Sequence, residues 1–308
     1  MLSIYVPVFN HENYVTRALD SILRQETAFP FQVFIGEDCS TDNTRKVLQA
    51  WEREHNDPRF HFFYRAENMH RQNPNNAGDL KTRCKGKYLI CLEGDDFWTD
   101  PHKLQKQVDF LESHPQYYAV AHNCTVVGED GLPNGEVYPE CKDEEYTFRH
   151  YAEGVLPGQL TTLLSRNYMV DPEIDRQLLT CRIGPGDRNN VFAILLRGRI
   201  YCMQESMSAY RHITQGGSSF SAGYRYNYKT DLAADGNRLQ RAYLSQNKEA
   251  IACAELKYLR CIRGGIRQKQ QTLRGAAQDI KPLKRKMRTA LRLLDRDLRK
   301  LIKHRIPI

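Results

Sequence analysis

Three carboxylates crowd one short stretch of this chain, Leu92-Glu93-Gly94-Asp95-Asp96. They follow the apolar run Tyr88-Leu89-Ile90-Cys91-Leu92, which lies between a Lys85-Gly86-Lys87 turn and Gly94 and reads as a buried strand. Acids gathered at the end of a buried strand repel one another and lose hydration unless positive charge sits among them. In an extended chain Glu93 and Asp95 would face one way and Asp96 the other. Oxygen ligands at i and i+2 beside a glycine suit a hard divalent cation that also holds phosphates. The first expectation is therefore a metal–diphosphate site.

A second acidic pair, Glu37-Asp38, closes the apolar run Phe31 to Ile35. Ligands of open α/β sheets collect at the carboxyl ends of strands. Two acidic strand ends in one sheet would define a crevice for a ligand that offers hydrogen-bond donors and a metal. A nucleotide, with its base N–H and ribose hydroxyls, fits that description. The plainer use of Glu37-Asp38 is helix N-capping together with Ser40 and Thr41; the second acidic cluster favours binding.

The elements that must position these acids are visible in the pattern of apolar residues. Ser3 to Val8, Phe31 to Ile35, Phe60 to Tyr64 and Tyr88 to Leu92 read as strands. Helical spacing separates them, with Tyr14, Ala18, Leu19, Ile22 and Leu23, then Val47, Leu48 and Trp51, then Asn76 to Cys84. Leu104, Val108 and Leu111 follow Pro101, which suits a first helical turn. Strands alternating with helices indicate an α/β domain with a mostly parallel sheet. Beyond it, Tyr117 to Val127, Thr161 to Ser165 and Ile200 to Met203 read as strands, and Asp187 to Leu196 as a helix. Residues 131–135 read as a turn, and from Tyr224 the chain reads as mostly helical.

The 308 residues are 41% hydrophobic and 27% charged, as in an ordinary soluble protein. The nine cysteines form no C-x-x-C pair and no regular spacing, which points to reduced, buried thiols rather than a disulfide framework or zinc. Met1-Leu2-Ser3 runs straight into a strand, so no signal peptide is expected. The longest apolar run, Val191 to Leu196, is too short to span a bilayer. The net charge of +8 conceals an asymmetry: residues 257–308 hold 17 Lys+Arg against 3 Asp+Glu, a local +14. Residues 1–256 hold 28 against 34, a local −6.

Val6-Pro7-Val8-Phe9-Asn10, the run Ile35 to Thr44, Gly86-Lys87-Tyr88, and Leu92 to Asp96 with Asp100-Pro101-His102-Lys103-Leu104 together resemble family 2 glycosyltransferases of the GT-A fold. The resemblance is dense over residues 1–115, with its motifs in the expected order. It implies a Rossmann-like, mostly parallel central sheet flanked by helices, a nucleotide-sugar donor, Mn²⁺ or Mg²⁺, and inversion at the sugar C1. Carried over by position, Asp38 matches the acid that receives the base, with Pro7, Val8 and Asn10 nearby and Glu37 beside it. Glu93 and Asp95 match the two acids of the D-x-D element; Asp95 would be the metal ligand and Asp96 a further donor-side acid. Glu37 and Glu93 stand where the family commonly has Asp, which bears on donor geometry. Gly184-Pro185-Gly186-Asp187-Arg188 resembles the acceptor-side acidic motif, making Asp187 the candidate base, against an ordinary Asp at a helix start. Tyr210-Arg211-His212 with Gly216-Gly217-Ser218 resembles a Tyr-Arg-x-His-Gly-Gly segment in which Arg211 and His212 hold the diphosphate under a mobile flap. The alternative is a surface loop whose Arg pairs with an acid.

Residues 1–220 are expected to form the GT-A domain, with a nucleotide-sugar-binding half at 1–115 and an acceptor half at 116–220. A basic helical C-terminal extension occupies 221–308. Ile280, Leu283, Met287, Leu291, Leu294, Leu298 and Leu301 recur at steps of three and four among Lys and Arg. Such a helix over 278–308 can lie on an anionic membrane surface, pack on its own domain, or join a coiled-coil homo-oligomer. Nucleic acid is not expected, because no aromatic follows Tyr258. The expected function is transfer of one sugar, probable donor a UDP-sugar, to a saccharide or lipid-linked acceptor in cell-surface polysaccharide synthesis. It would take place in the cytoplasm, or peripherally at the cytoplasmic face of the membrane. The rivals are a non-catalytic nucleotide- or lipid-binding protein of the same fold and a sugar nucleotidyltransferase. The latter usually carries a Gly-rich phosphate loop, which Pro7-Val8-Phe9-Asn10 lacks.

Overall fold

Strand β1 (Leu2–Val8) is buried on both faces: Ile4 and Val6 pack one side while Ser3 and Tyr5 are equally hidden on the other. That is the signature of a strand inside a parallel sheet covered by helices. The computed structural model describes residues 1–70, 72, 74–138, 141–172, 186–213, 228–272 and 281–304. Two units divide the chain, one of Met1–Tyr146, Val155–Arg176 and Arg197–Tyr224, the other of Thr147–Gly154, Gln177–Leu196 and Arg225–Ile308.

In the first unit β1 is followed by α1 (Val15–Leu23), β2 (Phe31–Glu37), α2 (Thr44–His55), β3 (Phe60–Tyr64), α3 (Asn76–Arg83) and β4 (Tyr88–Cys91). Strands β1 to β4 pair in parallel, in the order β3-β2-β1-β4. Val15, Ala18, Leu19 and Ile22 of α1 are wholly buried in the core that also takes Ile35, Leu48, Ile90 and Leu104. The sequence-derived helices and strands of this region are present, the strands each within two residues of their expected bounds, and α2 extends three residues before Val47 and four beyond Trp51. Beyond β4 the sheet becomes mixed: β5 (Phe97–Trp98), α4 (Lys103–Ser113), β6 (Tyr117–Val127), β7 (Glu145–Tyr146), β8 (Leu164–Arg166) and β9 (Arg199–Arg211). They extend the order as β4-β8-β6-β9-β5, with β7 also on β9. Strand β8 is antiparallel to β4 and β6, and β9 is parallel to β6.

Two expectations need correction here. Thr161 to Ser165 is not one strand but a 3₁₀ turn (Leu160–Thr162) followed by β8. Strand β9 is thirteen residues long, whereas only Ile200 to Met203 reads as strand in sequence. Its register against β6 shifts between His122 and Asn123, where Gln204 and Glu205 are extra residues between the paired Met203 and Ser206 and are exposed. A bulge of polar residues interrupts the alternation that marks a strand.

The second unit holds α5 (Phe148–Glu153), α7 (Tyr228–Ser245), α8 (Lys248–Thr272) and α9 (Lys281–His304), together with most of α6 (Gly186–Arg197). Phe192 of α6 packs edge-on to Phe148 at 5.7 Å and against Tyr151 at 5.3 Å. Arg238, 4% exposed, binds Asp235 of its own helix at 2.7 Å. Helix α9 is tied to α8 by an Arg263–Asp295 ion pair at 2.6 Å.

Gly86 fixes where β4 runs. A Cβ there would lie 2.8 Å from the Ser3 nitrogen and 2.9 Å from the Met1 oxygen, backbone atoms that cannot swing away. Lys87 N–H donates to that same Met1 carbonyl at 2.8 Å. Gly86→Ala should therefore cost about 1–3 kcal/mol of stability, read as a lower urea midpoint with unchanged slope.

Candidate functional site

The loops that leave β2 and β4 both hang from the carboxyl end of β1. Asp38 N–H donates to the Val8 carbonyl at 2.9 Å, and Gly94 N–H to the Pro7 carbonyl at 3.3 Å. Between Leu92 N–H on Tyr5 and Gly94 N–H on Pro7, the parallel ladder would next need an N–H from residue 7. Proline has none, so β4 stops pairing there and the chain turns. Strands β2 and β4 flank β1, so the two acidic ends sit about 10 Å apart across it, at the point where the strand order reverses.

On the β2 side, left-handed backbone at Asn10 (φ +57°) and Cys39 (φ +56°) turns both loops. Asn10 N–H donates to Ser40 Oγ at 3.0 Å and its Oδ1 accepts from Thr41 N–H at 2.9 Å. His11 N–H donates to Thr44 Oγ1 and Asn43 N–H to Glu12, each at 2.8 Å. Asn10 and Ser40-Thr41 are thus spent on stitching two loops together. Glu37 is sealed at 1% exposure, bound by Arg45 Nε at 2.6 Å and accepting Ser40 N–H. It serves here as a buried anchor between Arg45 and the Ser40 amide. Asp38 takes Met69 N–H on Oδ1 at 2.7 Å. Burial raises its carboxyl above the ordinary value, opposed by that amide and by Arg65.

On the β4 side residues 93–96 form a tight turn, closed by Asp96 N–H on the Glu93 carbonyl at 3.0 Å, and not the extended alternation expected. Asp96 is 1% exposed. Its Oδ1 accepts Arg211 N–H at 2.8 Å, and its Oδ2 lies 3.2 Å from Thr161 Oγ1. Burial holds this carboxyl well above the usual range, with the charges of Asp95 and Glu93 pushing the same way. A protonated Asp96 can donate to Thr161, whose hydroxyl then donates to Gln159 Oε1. Gln159 Nε2 in turn donates to Glu93 Oε2 at 3.1 Å. This chain of bonds fixes Glu93 from behind. Asp96 thereby acts as an internal support of the turn.

Arg211 joins this support. It is 3% exposed and gives Nε to the Asp95 carbonyl at 2.9 Å and Nη1 to the carbonyls of Gly128 and Glu129 at 2.7 and 2.6 Å. Its guanidinium lies 4.4 Å over the Tyr14 ring. Nε and Nη1 thus hold the backbone of the acidic turn and of the loop after β6. His212 pairs through Nδ1 with Glu136 at 2.5 Å, half-buried; Gly216-Gly217-Ser218 lie outside the described residues.

Asp95 remains partly open, its side chain 19% exposed. Beside it stands His11, which sequence reading missed although it directly follows Asn10. His11 Nε2 is 3.8 Å from Asp95 Oδ2, and its buried Nδ1 has no partner. Burial lowers the imidazole pKa, and the opposing pull of Asp95 and Asp42 does not restore it. The ring is therefore a neutral neighbour that leaves the Asp95 charge uncompensated. Gly94 makes this approach feasible, since a Cβ there would meet Nδ1 at 2.7 Å. Gln159 and Thr161 were also missed, because their partners lie 66 and 65 residues away.

Among the described residues no three His, Cys, Asp or Glu side chains converge on one point. The open carboxylates Asp95 and Glu93 still fit a hard cation that takes its remaining oxygens from phosphates and water. Asp187 opens α6 in the second unit, partly exposed, with Arg188 N–H on its Oδ1 at 3.0 Å; Gly184 and Pro185 lie outside the described residues. A separate cavity of about 440 Å³ is lined by Lys87, Tyr118, Arg166 and Arg197, among others. Its charges are already engaged, Lys87 by Glu112 and Arg197 by Asp171.

Comparison with known proteins agrees with this geometry. The sequence profile of glycosyl transferase family 2 matches residues 3–167. The uncharacterized protein Rv1520 of Mycobacterium tuberculosis is 30% identical over 216 residues, 70% of this chain and 60% of its own length. The putative teichuronic acid biosynthesis glycosyltransferase TuaG of Bacillus subtilis is 28% identical over 54% of this chain and 62% of its own. The chain thus spans about 60% of the length of these curated relatives. Staphylococcus aureus TarS, solved with UDP-GlcNAc, superposes with a TM-score of 0.61 at 16% identity, over 98% of this chain and 91% of that one.

Arg211→Gln should leave the Asp95, Gly128 and Glu129 carbonyls short of donors and cost more than about 3 kcal/mol. Arg211→Lys should recover little of this, since one ammonium cannot span three carbonyls. Urea denaturation of both variants checks the outcome.

Proposed function

Because the chain belongs to glycosyl transferase family 2, we propose that it transfers one sugar from a UDP-sugar to a hydroxyl of a saccharide or lipid-linked acceptor, with inversion at C1. The observation that carries this reading is the pair of acidic loops hung from adjacent residues of β1, with the Asp95 side chain partly open and the buried Asp38 bonded through one carboxylate oxygen to Met69 N–H. The teichuronic acid biosynthesis for which TuaG is named and the UDP-GlcNAc bound to TarS support a polysaccharide setting and a uridine nucleotide.

In this proposal Asp38 accepts the base N–H on the oxygen that Met69 leaves free. Glu93, steadied by Gln159, accepts a ribose hydroxyl. Asp95, with Glu93, would hold Mn²⁺ or Mg²⁺, which when bound supplies positive charge to the departing diphosphate. Asp187 would take the proton of the attacking acceptor hydroxyl. Its partly exposed position at a helix start leaves it accessible to an acceptor hydroxyl.

Incubation with UDP-, GDP- and dTDP-sugars and Mn²⁺ should release nucleoside diphosphate slowly from the UDP-sugar. Asp95→Asn keeps the shape of the side chain and should reduce that release about a hundredfold or more. Undiminished release by this variant, in a protein with unchanged circular dichroism, would remove the assignment.

A further inference from the structure

Helix α9 carries ten Lys+Arg and two Asp across Lys281–His304. Five of its arginines, Arg285, Arg288, Arg292, Arg296 and Arg299, follow one another at steps of three and four, and all five are exposed. At 1.5 Å per residue they form one straight row about 21 Å long. No acidic side chain among the described residues pairs with Arg285, Arg288, Arg292 or Arg299; Arg296 makes a bond to Asp297 at 3.4 Å, with both side chains exposed. The opposite face, with Met287, Ala290, Leu291 and Leu294, is half-buried, and Asp295 on its flank binds Arg263 of α8. Leu293 stands out of the helix at 46% exposure, beside the basic row.

A row of like charges without counter-charges costs self-repulsion, which a flat anionic partner relieves. We propose that the arginine face of α9 is a docking surface for an anionic lipid bilayer, with Leu293 entering the headgroup region. The geometry favours a bilayer over nucleic acid for two reasons. The helix has no aromatic side chain on which a base could stack, and an exposed leucine beside arginines matches an interface that is apolar below and charged above. No helix among the described residues is long and apolar enough to cross a membrane, so the contact is peripheral. The acidic remainder of the chain, −6 over residues 1–256, would be repelled by the same surface, which restricts docking to this end of the chain.

Flotation of the full chain with vesicles tests this, and no nucleotide sugar is present, so the outcome is independent of the transferase reading. Binding is expected to vesicles of phosphatidylglycerol and phosphatidylcholine in equal parts, not to phosphatidylcholine alone, and should weaken as salt rises. Arg288→Gln, Arg292→Gln and Arg299→Gln combined should lower partitioning about a hundredfold, while the same three positions as Lys should retain it. The Lys variant serves as the folding control, with helix content of both checked by circular dichroism. Equal partitioning of the Gln and wild-type chains, equal binding to neutral vesicles, or retention on duplex RNA but not on anionic vesicles would overturn the proposal.

Discussion

The acidic turn exists because one buried guanidinium lies against its backbone. Glu93, Asp95 and Asp96 occupy four consecutive positions, and Asp96 is wholly interior. Left alone, such a turn would repel itself apart or bury an unpaired charge. Arg211 answers both problems from more than a hundred residues away. Its backbone N–H reaches Asp96 and its side chain reaches the Asp95 carbonyl, so the end of β9 is fastened to the end of β4. Burial pushes the Asp96 carboxyl toward its neutral form, which lessens the charge crowded into the turn. What remains outward is Asp95 with Glu93, a donor pair suited to a cation shared with phosphates.

Strand β1 plays the corresponding part for the backbone. Its last two carbonyls suspend the loops of Asp38 and Gly94, and the absent N–H of Pro7 ends the ladder where the acids must leave the sheet. Pro7 and Val8 thus shape the crevice through main-chain geometry. The Asn10–Thr41 and His11–Thr44 bonds make the β1 and β2 loops one piece, so the acids on either side of the crevice are positioned before any ligand arrives.

Much of this was legible in sequence and some was not, for identifiable reasons. The alternation of apolar runs with helical spacing marked β1 to β4 and their helices, because a doubly covered parallel sheet leaves near-continuous hydrophobic strands. Acidic residues at two strand ends marked the crevice. The sequence did not reveal which acids face outward, since Glu37 and Asp38, or Asp95 and Asp96, are neighbours with opposite fates. Burial and distant partners decide between them. Arg211 read as a diphosphate ligand, and an arginine in a motif carries no sign that its Nε and Nη1 also reach backbone carbonyls. Strand β9 was cut short because a polar bulge imitates a strand end, and His11 passed unnoticed because its role depends on Gly94 lying against it.

The central claim is that the crevice between Asp38 and Asp95 is a nucleoside diphosphate site completed by a divalent cation. Calorimetric titration of UDP into the full chain, once with Mn²⁺ and once with a chelator, tests it most directly. The account predicts saturable binding with Mn²⁺ that collapses on chelation. Equal affinity in both conditions, or no binding in either, would contradict it.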